Sequence, residues 1–250
     1  GAAMILADES FAGTVRFLFQ PCEEQRDEEG ESGAVKMIEE GALDDVSHVI
    51  ALHTRALPVG SIGVTSGPAT AANDKIKITI QGRAAHGAHP EEGIDAIAIA
   101  AQVITAIQQI VSRQTSPTQP AVVSITTIHG GVKENIIADL VELGGTIRST
   151  GGEARQRLIA QLDSALSVGR ALGATCELEI IPGYSATYNS PEVTNAIRDA
   201  AAEELGEEQV IDFPFDTWAE DFGYMTAHVP RSARRSATGA CTACNRPAGR

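Results

Sequence analysis

Two kinds of hydrophobic pattern divide the chain. Residues 15–19 and 49–52 are short, mainly apolar runs, which are typical of strands buried on both faces. Residues 32–40 lie between them and have the apolar spacing of a helix, with Gly41 as a candidate C-cap. A strand, a helix and a strand in this order predict a βαβ unit and a mainly parallel sheet.

The pattern changes after Asn73. Ile76, Ile78 and Ile80 alternate with polar residues, as in a strand with one buried face. Two amphipathic helices and three further strands are predicted at residues 93–113, 121–128, 140–148, 153–171 and 176–181. The order β-α-β-β-α-β indicates an α+β unit of the ferredoxin-like type. The spacing in the first helix predicts a buried face made of Ile94, Ile97, Ala101, Ile104, Ile107 and Val111.

This second unit interrupts the first. A helix at residues 191–205 and an acidic loop with Trp218 return to α/β character. The predicted fold is therefore an α/β domain with a mainly parallel, incomplete sheet, into which an α+β ferredoxin-like (βαββαβ) domain is inserted. The expected boundaries are 1–71 and 184–230 for the two parts of the α/β domain, 72–183 for the insertion, and 231–250 for an atypical tail.

Both ends of the chain depart from the rest, and we expect a chain truncated at both ends. The first nine residues begin inside a helical pattern without an N-cap residue. Residues 231–250 contain five Arg, no acid and no large apolar side chain, so a disordered tail is expected. Cys241 and Cys244 form a single CxxC pair there, and without a second pair it is a weak signal for zinc or redox chemistry.

Composition narrows the functional class. The 33 acidic side chains outnumber the 19 Lys and Arg residues, and a net charge of −14 argues against nucleic acid as a partner. The most apolar window, at residues 94–107, is interrupted by polar residues, so no membrane span is predicted. Four Cys residues do not form a disulfide framework, and no basic leader opens the chain, which together predict a cytoplasmic protein.

Candidate chemistry follows the two predicted strands of the first unit. Glu23 and Glu24 come directly after the first strand, and His53 closes the next one. Ligands bind at the carboxyl ends of strands in open α/β sheets. Two adjacent carboxylates beside a His suit metal-assisted hydrolysis, in which one carboxylate binds the ion and its neighbour takes a proton from the attacking water. The alternative is that both acids only open an acidic loop and that His53 is structural.

The inserted unit has a second cluster of polar residues. His86 and His89 lie in a loop of small residues between a predicted strand and a helix. They are better candidates for donating to a substrate oxygen than for binding a metal, because no third ligand is adjacent. Asn135 and Arg148 flank the next hairpin, and an Arg fork is the best side-chain clamp for a carboxylate. An Arg at the end of a strand is also commonly just solvated.

Eight sequence motifs in order carry a resemblance to a known family. The sequence resembles the N-acyl-amino-acid amidohydrolases, which are the hippurate hydrolase and auxin-conjugate hydrolase branch of the aminoacylase/carboxypeptidase metallopeptidases. The resemblance runs from residue 1 to about residue 230. The motifs are GTVRFLFQPCEE, EEGALDD, ALHTRALPVGSIGV, GPATAANDKIKITIQGRAAHGAHP, QQIVSRQTSP, IHGGVKENIIAD, GTIRS and AEDFGYM.

The resemblance implies a two-metal enzyme that cleaves the amide bond of N-acyl amino acids. It assigns Glu23 as the general base, Glu24 as a metal-ligand carboxylate and His53 as a ligand of the second site. The two divalent ions would be Zn²⁺, Mn²⁺, Co²⁺ or Ni²⁺. The α/β domain then becomes the catalytic domain.

The resemblance also implies that the insertion is a lid and dimerisation domain of a homodimer. His86 matches a lid His that steadies the tetrahedral intermediate, in dimeric relatives from the partner subunit. Asn135 and Arg148 match positions that bind the substrate, Arg148 at its free carboxylate. The expected partners are therefore a small N-acyl amino acid and a second copy of the chain.

The sequence departs from the family pattern at both ends. A Cys-Gly-His-Asp motif that supplies two ligands, and a last ligand His near the C-terminus, have no counterpart. Only Glu24 and His53 of the expected ligands remain, whereas a catalytic zinc has three protein ligands. A second hypothesis therefore stands beside the enzyme. In it, the chain is a catalytically inactive fragment that acts at most as a dimeric module binding acyl amino acids.

Overall fold

Two four-stranded sheets, each with its own helices and its own apolar core, organise the chain. The computed structural model describes residues 10–23, 30–229 and 237–244, the last of these as backbone only. The helices are α1 Gly33–Glu39, α2 Ala96–Gln109, α3 Gly152–Ala171, α4 Pro191–Leu205 and α5 Phe222–His228. Short 3₁₀ turns occupy Pro90–Glu92 and Glu207–Gln209, and a π-helical turn at Ile110–Gln114 extends α2.

The first sheet has the order β1-β12-β2-β11. Its strands are β1 His48–Arg55, β2 Ile62–Val64, β11 Val210–Asp212 and β12 Ala237–Cys244. Two neighbouring pairs, β1 with β12 and β11 with β2, run parallel, and β12 with β2 runs antiparallel. The sheet is therefore mixed. Helices α1 and α5 pack with β1 around a small core of Ala34, Leu43, Val49, Phe222, Met225 and Val229.

The second sheet is fully antiparallel, in the order β6-β8-β4-β9. Its strands are β4 Ala72–Gln81, β6 Ala121–Gly130, β8 Leu140–Ser149 and β9 Thr175–Pro182. Each matches a predicted strand, and α2, α3 and α4 match predicted helices. Helices α2 and α3 pack against the sheet and enclose an 18-residue core that includes Ile78, Ile107, Leu143 and Leu162.

Two small ladders and an isolated bridge lie outside the two large sheets. Short strands β5 Ala85–His86 and β7 Ile136–Ile137 pair beside the second sheet. Strands β3 Gly67–Pro68 and β10 Tyr188–Asn189 pair where the chain enters and leaves the inserted unit. A single bridge between Thr70 and Asp216 lies next to this second pair. These contacts fix the two chain crossings between the units.

The predicted buried face of α2 is only partly correct. Ile107 is buried, and Ile94 and Ile104 pack against the core, whereas Ile97 and Val111 are 48% and 37% exposed. The other buried positions of the helix are Ala96, Ile99, Ala100 and Val103. Most residues around this helix are apolar, so the sequence offers two stripes at helical spacing. Asp95 caps the start of the helix by accepting from the backbone N–H groups of Ile97 and Ala98, and the buried stripe is the one that packs on the second sheet.

The apolar window at residues 94–107 belongs to a longer helical stretch. Residues 96–114 run helically for 19 residues, which is long and apolar enough to cross a membrane by length and composition. The same stretch contributes Val103, Ile107 and Ile110 to the core of the second sheet. A core helix meets the same criterion, so the stretch does not by itself indicate a membrane protein.

The predicted strand at residues 15–19 is also wrong. No strand pairs with these residues in the described part of the chain, and the Phe19 side chain is 88% exposed. The segment is held by side chains instead. Arg16 Nη1 donates to the carbonyl oxygens of Ala42 at 2.7 Å and Asp44 at 3.2 Å, just after α1, and Leu18 packs on the small core. The predicted βαβ unit is therefore not formed, because its first strand has no ladder.

The tail was expected to be disordered, and this expectation is wrong for residues 237–244. They form β12, which lies between β1 and β2 in the first sheet. Pairing of this kind uses backbone N–H and C=O groups, so it does not require the large apolar side chains that the tail lacks. Cys241 and Cys244 both lie in β12. Residues 1–9 and 230–236 lie outside the described part of the chain.

Truncation of the core between α3 and the second sheet should cost stability. Leu162 on α3 is fully buried in that core, whereas Val168 on the same helix is 38% exposed. We expect Leu162→Ala to lower the free energy of unfolding by about 2–5 kcal/mol, since it leaves a cavity. Val168→Ala is the matched control and should cost less than about 1 kcal/mol. Urea denaturation measures both, and equal losses would contradict this core assignment.

Candidate functional site

The segment that carries Glu23 is held by backbone contacts and remote side chains. Cys22 has a positive φ of 50°, a conformation that turns the chain sharply just before Glu23. The carbonyl oxygen of Glu23 accepts a hydrogen bond from the Tyr184 hydroxyl at 3.1 Å. Glu24, the predicted metal ligand, lies outside the described residues.

His53 lies in β1, two residues before the strand ends, and is solvent-exposed. Its Nδ1 lies 2.8 Å from the carbonyl oxygen of Thr54, so the tautomer with a proton on Nδ1 donates there and leaves Nε2 free to bind a ligand. The imidazole packs against the indole of Trp218, with 4.9 Å between ring centroids. Arg55 lies over the same indole at 3.9 Å. Trp218, the single tryptophan of the chain, therefore packs beside the predicted ligand.

Glu220 is a buried acid that the sequence analysis did not assign to the site. It is 7% exposed, and its Oε1 accepts a hydrogen bond from Thr187 Oγ1 at 3.3 Å. Burial raises the pKa of Glu220, and the charges of Glu23 and Asp221 raise it further, while His53 and the Thr187 bond oppose the shift. Both Glu23 and His53 influence the pKa of Glu220 electrostatically, so we refer to the three residues as the candidate cluster.

This cluster does not by itself form a metal centre. Within the described residues, no group of three or more His, Cys, Asp or Glu side chains has the arrangement to hold an ion. His53 and the neighbouring carboxylates are suitable donor types for a divalent metal, but a catalytic site has three protein ligands. The described residues therefore fit such an ion only in part.

His86 and Asn135 come together in the inserted unit. His86 lies on β5 opposite Ile136 of β7, and Gly87 N donates to the carbonyl oxygen of Asn135 at 2.8 Å. Nδ1 of His86 accepts from Ala88 N at 3.1 Å, which leaves a proton on Nε2 of the neutral ring. Both residues are exposed, so that proton points away from the chain's own hydrogen bonds and is available to an oxygen acceptor. The His89 ring lies 6.0 Å from that of His86.

Arg148 lies on β8, apart from that hairpin. Its Nη1 donates to Asn73 Oδ1 at 2.5 Å, and burial lowers the pKa of its guanidinium, an effect that Asp74 partly opposes. In the part of the chain that the structure describes, no hydrogen bond, ion pair or ring contact joins His86 or Arg148 to His53. The predicted site residues thus form two groups, Glu23 with His53 and His86 with Asn135, and Arg148 stands apart from both. Glu24 lies outside the described residues.

Sequence reasoning missed Glu220, Trp218 and Asp221. The sequence feature that could have identified the two acids is their adjacency directly before an apolar helix, within the AEDFGYM motif. An Asp in that position is ordinarily interpreted as an N-cap of the following helix. Asp221 does stand at the N-cap of α5, but its side chain makes no bond to that helix.

Comparison with known proteins places the chain in a family. Residues 1–246 match the model of the peptidase family M20/M25/M40, and the chain belongs to this family. An N-acetyl-L-cysteine deacetylase of Bacillus subtilis is 38% identical over 93% of this chain and 55% of its own length. An N-acyl-L-amino acid amidohydrolase of Geobacillus stearothermophilus is 39% identical over 77% of this chain and 52% of its own length. The family resemblance inferred from the motifs is confirmed.

Solved structures agree with this assignment. The YXEP protein of Bacillus subtilis, a dinuclear metal binding peptidase from the M20 family, superposes with a TM-score of 0.72 at 32% identity. The match covers 90% of this chain and 54% of that protein. The chain thus spans about half the length of the relatives that it matches.

The raised pKa of Glu220 predicts a pH-dependent stability. Between its ordinary value and its raised value the folded chain binds more protons than the unfolded chain, so the free energy of unfolding falls as pH rises through this window. We expect Glu220→Gln to remove this loss, so its stability relative to the wild type should increase from about pH 4, near the ordinary Glu pKa, towards neutrality. Urea denaturation in chelator-treated buffer measures it.

The control is Glu203→Gln, which replaces an exposed carboxylate on α4. It should leave the pH dependence of unfolding as it is in the wild type. A Glu220→Gln variant that follows the wild-type curve across the range would contradict the burial argument.

Proposed function

We propose that this chain carries the reaction centre of a metal-dependent amidohydrolase that cleaves the amide bond of N-acyl amino acids. The observation that carries the proposal is the cluster of Glu23, His53 and Glu220, which brings a candidate base, a candidate ligand and a buried acid together at the end of β1. The names of the relatives support the same substrate class.

In this proposal Glu23 is the general base that takes the proton of the attacking water. The backbone carbonyl oxygen of Glu23 accepts a hydrogen bond from the Tyr184 hydroxyl, which fixes the main chain from which this side chain extends. Glu24 and His53 are two of the metal ligands, His53 through Nε2. Two divalent ions, of Zn²⁺, Mn²⁺, Co²⁺ or Ni²⁺ type, would polarise the amide carbonyl and lower the pKa of the water.

The inserted unit supplies substrate contacts. We assign residues 72–183 to a ferredoxin-like lid and dimerisation domain, and residues 1–71 and 184–230 to the catalytic domain. The exposed Nε2–H of His86 donates to the oxygen that becomes negative during attack, and Asn135 beside it contacts the substrate. Arg148 binds the free carboxylate of the amino acid, for which its bond to Asn73 holds the guanidinium in place.

A homodimer explains why His86 lies apart from His53 in one chain. In this proposal the His86 of each subunit completes the site of the other. Strand β6 is an edge of the second sheet, and Ile128 on it is 54% exposed. An exposed apolar edge strand is a template for pairing with a second copy, and Ile97 on α2 extends the apolar area.

A specific observation favours the alternative function. The described residues provide no three-ligand metal cluster, while the second sheet has a complete core of its own. The alternative is a catalytically inactive chain that acts at most as a dimeric module binding acyl amino acids.

The deciding experiment measures metal content and turnover of the purified chain supplied with Mn²⁺ or Zn²⁺, with a hippurate-type substrate. The proposed enzyme should bind about two ions and hydrolyse the amide, and Glu23→Gln should lower kcat by about 10²–10⁴-fold without loss of the ions. Glu40→Gln, an exposed acid after α1, is the control. Substrate binding without ions or turnover would favour the binding module, and full turnover by Glu23→Gln would overturn the assignment of the base.

The oligomeric state tests the proposed dimer. The wild type should elute at twice its 26.2 kDa mass, and Ile128→Lys should shift it to the monomer by placing a charge at the edge of β6. Val168→Lys adds the same charge at an exposed apolar position on α3 and should remain dimeric. A monomeric wild type, or loss of the dimer in both variants, would contradict an interface at β6.

A further inference from the structure

Asp221 joins stretches of chain that lie far apart in the sequence. Both of its carboxylate oxygens accept hydrogen bonds from Gln20 Nε2, each at 2.6 Å. One of the oxygens also accepts from the backbone N–H of Ala34, in the first turn of α1, at 3.1 Å. The residue is only 1% exposed, so these bonds compensate a buried carboxylate and are costly to lose.

The segment held in this way leads directly to Glu23. Gln20 precedes Glu23 by three residues, and Gly33 N, at the start of α1, donates to the carbonyl oxygen of Cys22 at 3.4 Å. A Cβ on Gly33 would lie only 1.7 Å from the carbonyl oxygen of Pro21, so the two backbones are in direct contact. Fixing Gln20 and the start of α1 therefore also fixes Pro21 and Cys22, which lead directly to Glu23.

The residue before Asp221 faces the site itself. Glu220 interacts electrostatically with His53 and Glu23, while Asp221 holds the backbone that carries Glu23. Glu220 thus interacts electrostatically with the proposed reaction centre, and the adjacent Asp221 holds the segment that leads to it. The backbone of residues 14–20 pairs with no strand in the described chain, so no strand ladder holds the segment that leads to Glu23. The hydrogen bonds of Asp221 therefore provide support that a ladder does not.

We propose that Asp221 is a positioning residue that sets the orientation of Glu23 through Gln20 and the N-terminus of α1. The consequence for catalysis rests on the proposed function, in which Glu23 is the base. The positioning of the segment itself does not depend on that function.

A charge-and-amide exchange tests this pairing. Asp221→Asn removes the buried charge and replaces one acceptor oxygen by an N–H₂ donor, so Gln20 keeps a bond only by turning its amide over and the remaining bonds are neutral and weaker. Gln20→Glu places one carboxylate against another. In the double variant the amide of the new Asn can donate to the new Glu, while its carbonyl oxygen still accepts from Ala34 N. The single variants should therefore loosen the segment, and the double variant should restore it.

Two readouts measure the effect. In the metal-free chain, hydrogen exchange by mass spectrometry should show the amides of residues 20–23 and 30–36 exchanging about tenfold faster or more in Asp221→Asn. In a Co²⁺ titration followed by Trp218 fluorescence, which reports on His53 at 4.9 Å, the affinity should fall by about 10–100-fold. The double variant should return both values to within about threefold of the wild type.

Asp74→Asn is the matched control. Asp74 is also a buried carboxylate, and it accepts two bonds from Arg155, at 2.7 and 2.9 Å, in the other unit of the fold. Equal effects of Asp74→Asn and Asp221→Asn on residues 20–23 and 30–36, or a double variant in which these residues still exchange fast, would show that Asp221 only contributes general stability. A third outcome is that the wild type binds no Co²⁺ while Asp221→Asn alone accelerates hydrogen exchange of the segment. This outcome would contradict the proposed function and would still support the positioning role of Asp221.

Discussion

The buried carboxylate of Asp221 is the point at which the early and late parts of the described chain meet. A charge at 1% exposure is stable only when donors surround it, and Gln20 and Ala34 supply them from about 200 residues away in the sequence. The segment leading to Glu23 has no ladder of its own. Its geometry is therefore determined by this carboxylate, by Arg16 on the loop after α1 and by Tyr184, and the candidate site depends on those three contacts.

Elements in which the hydrophobic pattern repeats over many residues were predictable from the sequence. The strands and helices of the second sheet repeat their apolar residues over eight to 20 positions, and the packed core confirms them. Short, mainly apolar runs were weaker evidence for a strand. Residues 15–19 have the composition of a buried strand but no neighbour to pair with in the described chain, and β12 pairs through its backbone without any apolar signal. Whether a strand forms depends on its partner, which local sequence does not specify.

The candidate site shows the same division. Glu23, His53, His86, Asn135 and Arg148 are predicted as site residues because motifs near strand ends single them out. Glu220 was not, because its significance comes from burial beside Thr187 and from charges contributed by two remote segments. Asp221 was open to misinterpretation for a related reason. Its position before α5 is that of a local cap, whereas its hydrogen bonds are all to distant parts of the chain.

The larger core lies in the unit with the second sheet, whereas the candidate site lies beside the smaller core. The second sheet encloses 18 buried residues, whereas the core below the candidate site has six. Because opening free energies follow local burial, the Glu23 segment belongs to the part of the fold that opens first. A ligand that binds only the closed arrangement would stabilise that part selectively. The inserted unit needs no such ligand for its own core. The enzyme and the binding-module hypotheses therefore share one stable scaffold, and they differ in whether the smaller core holds Glu23 and His53 in place for long enough to bind an ion.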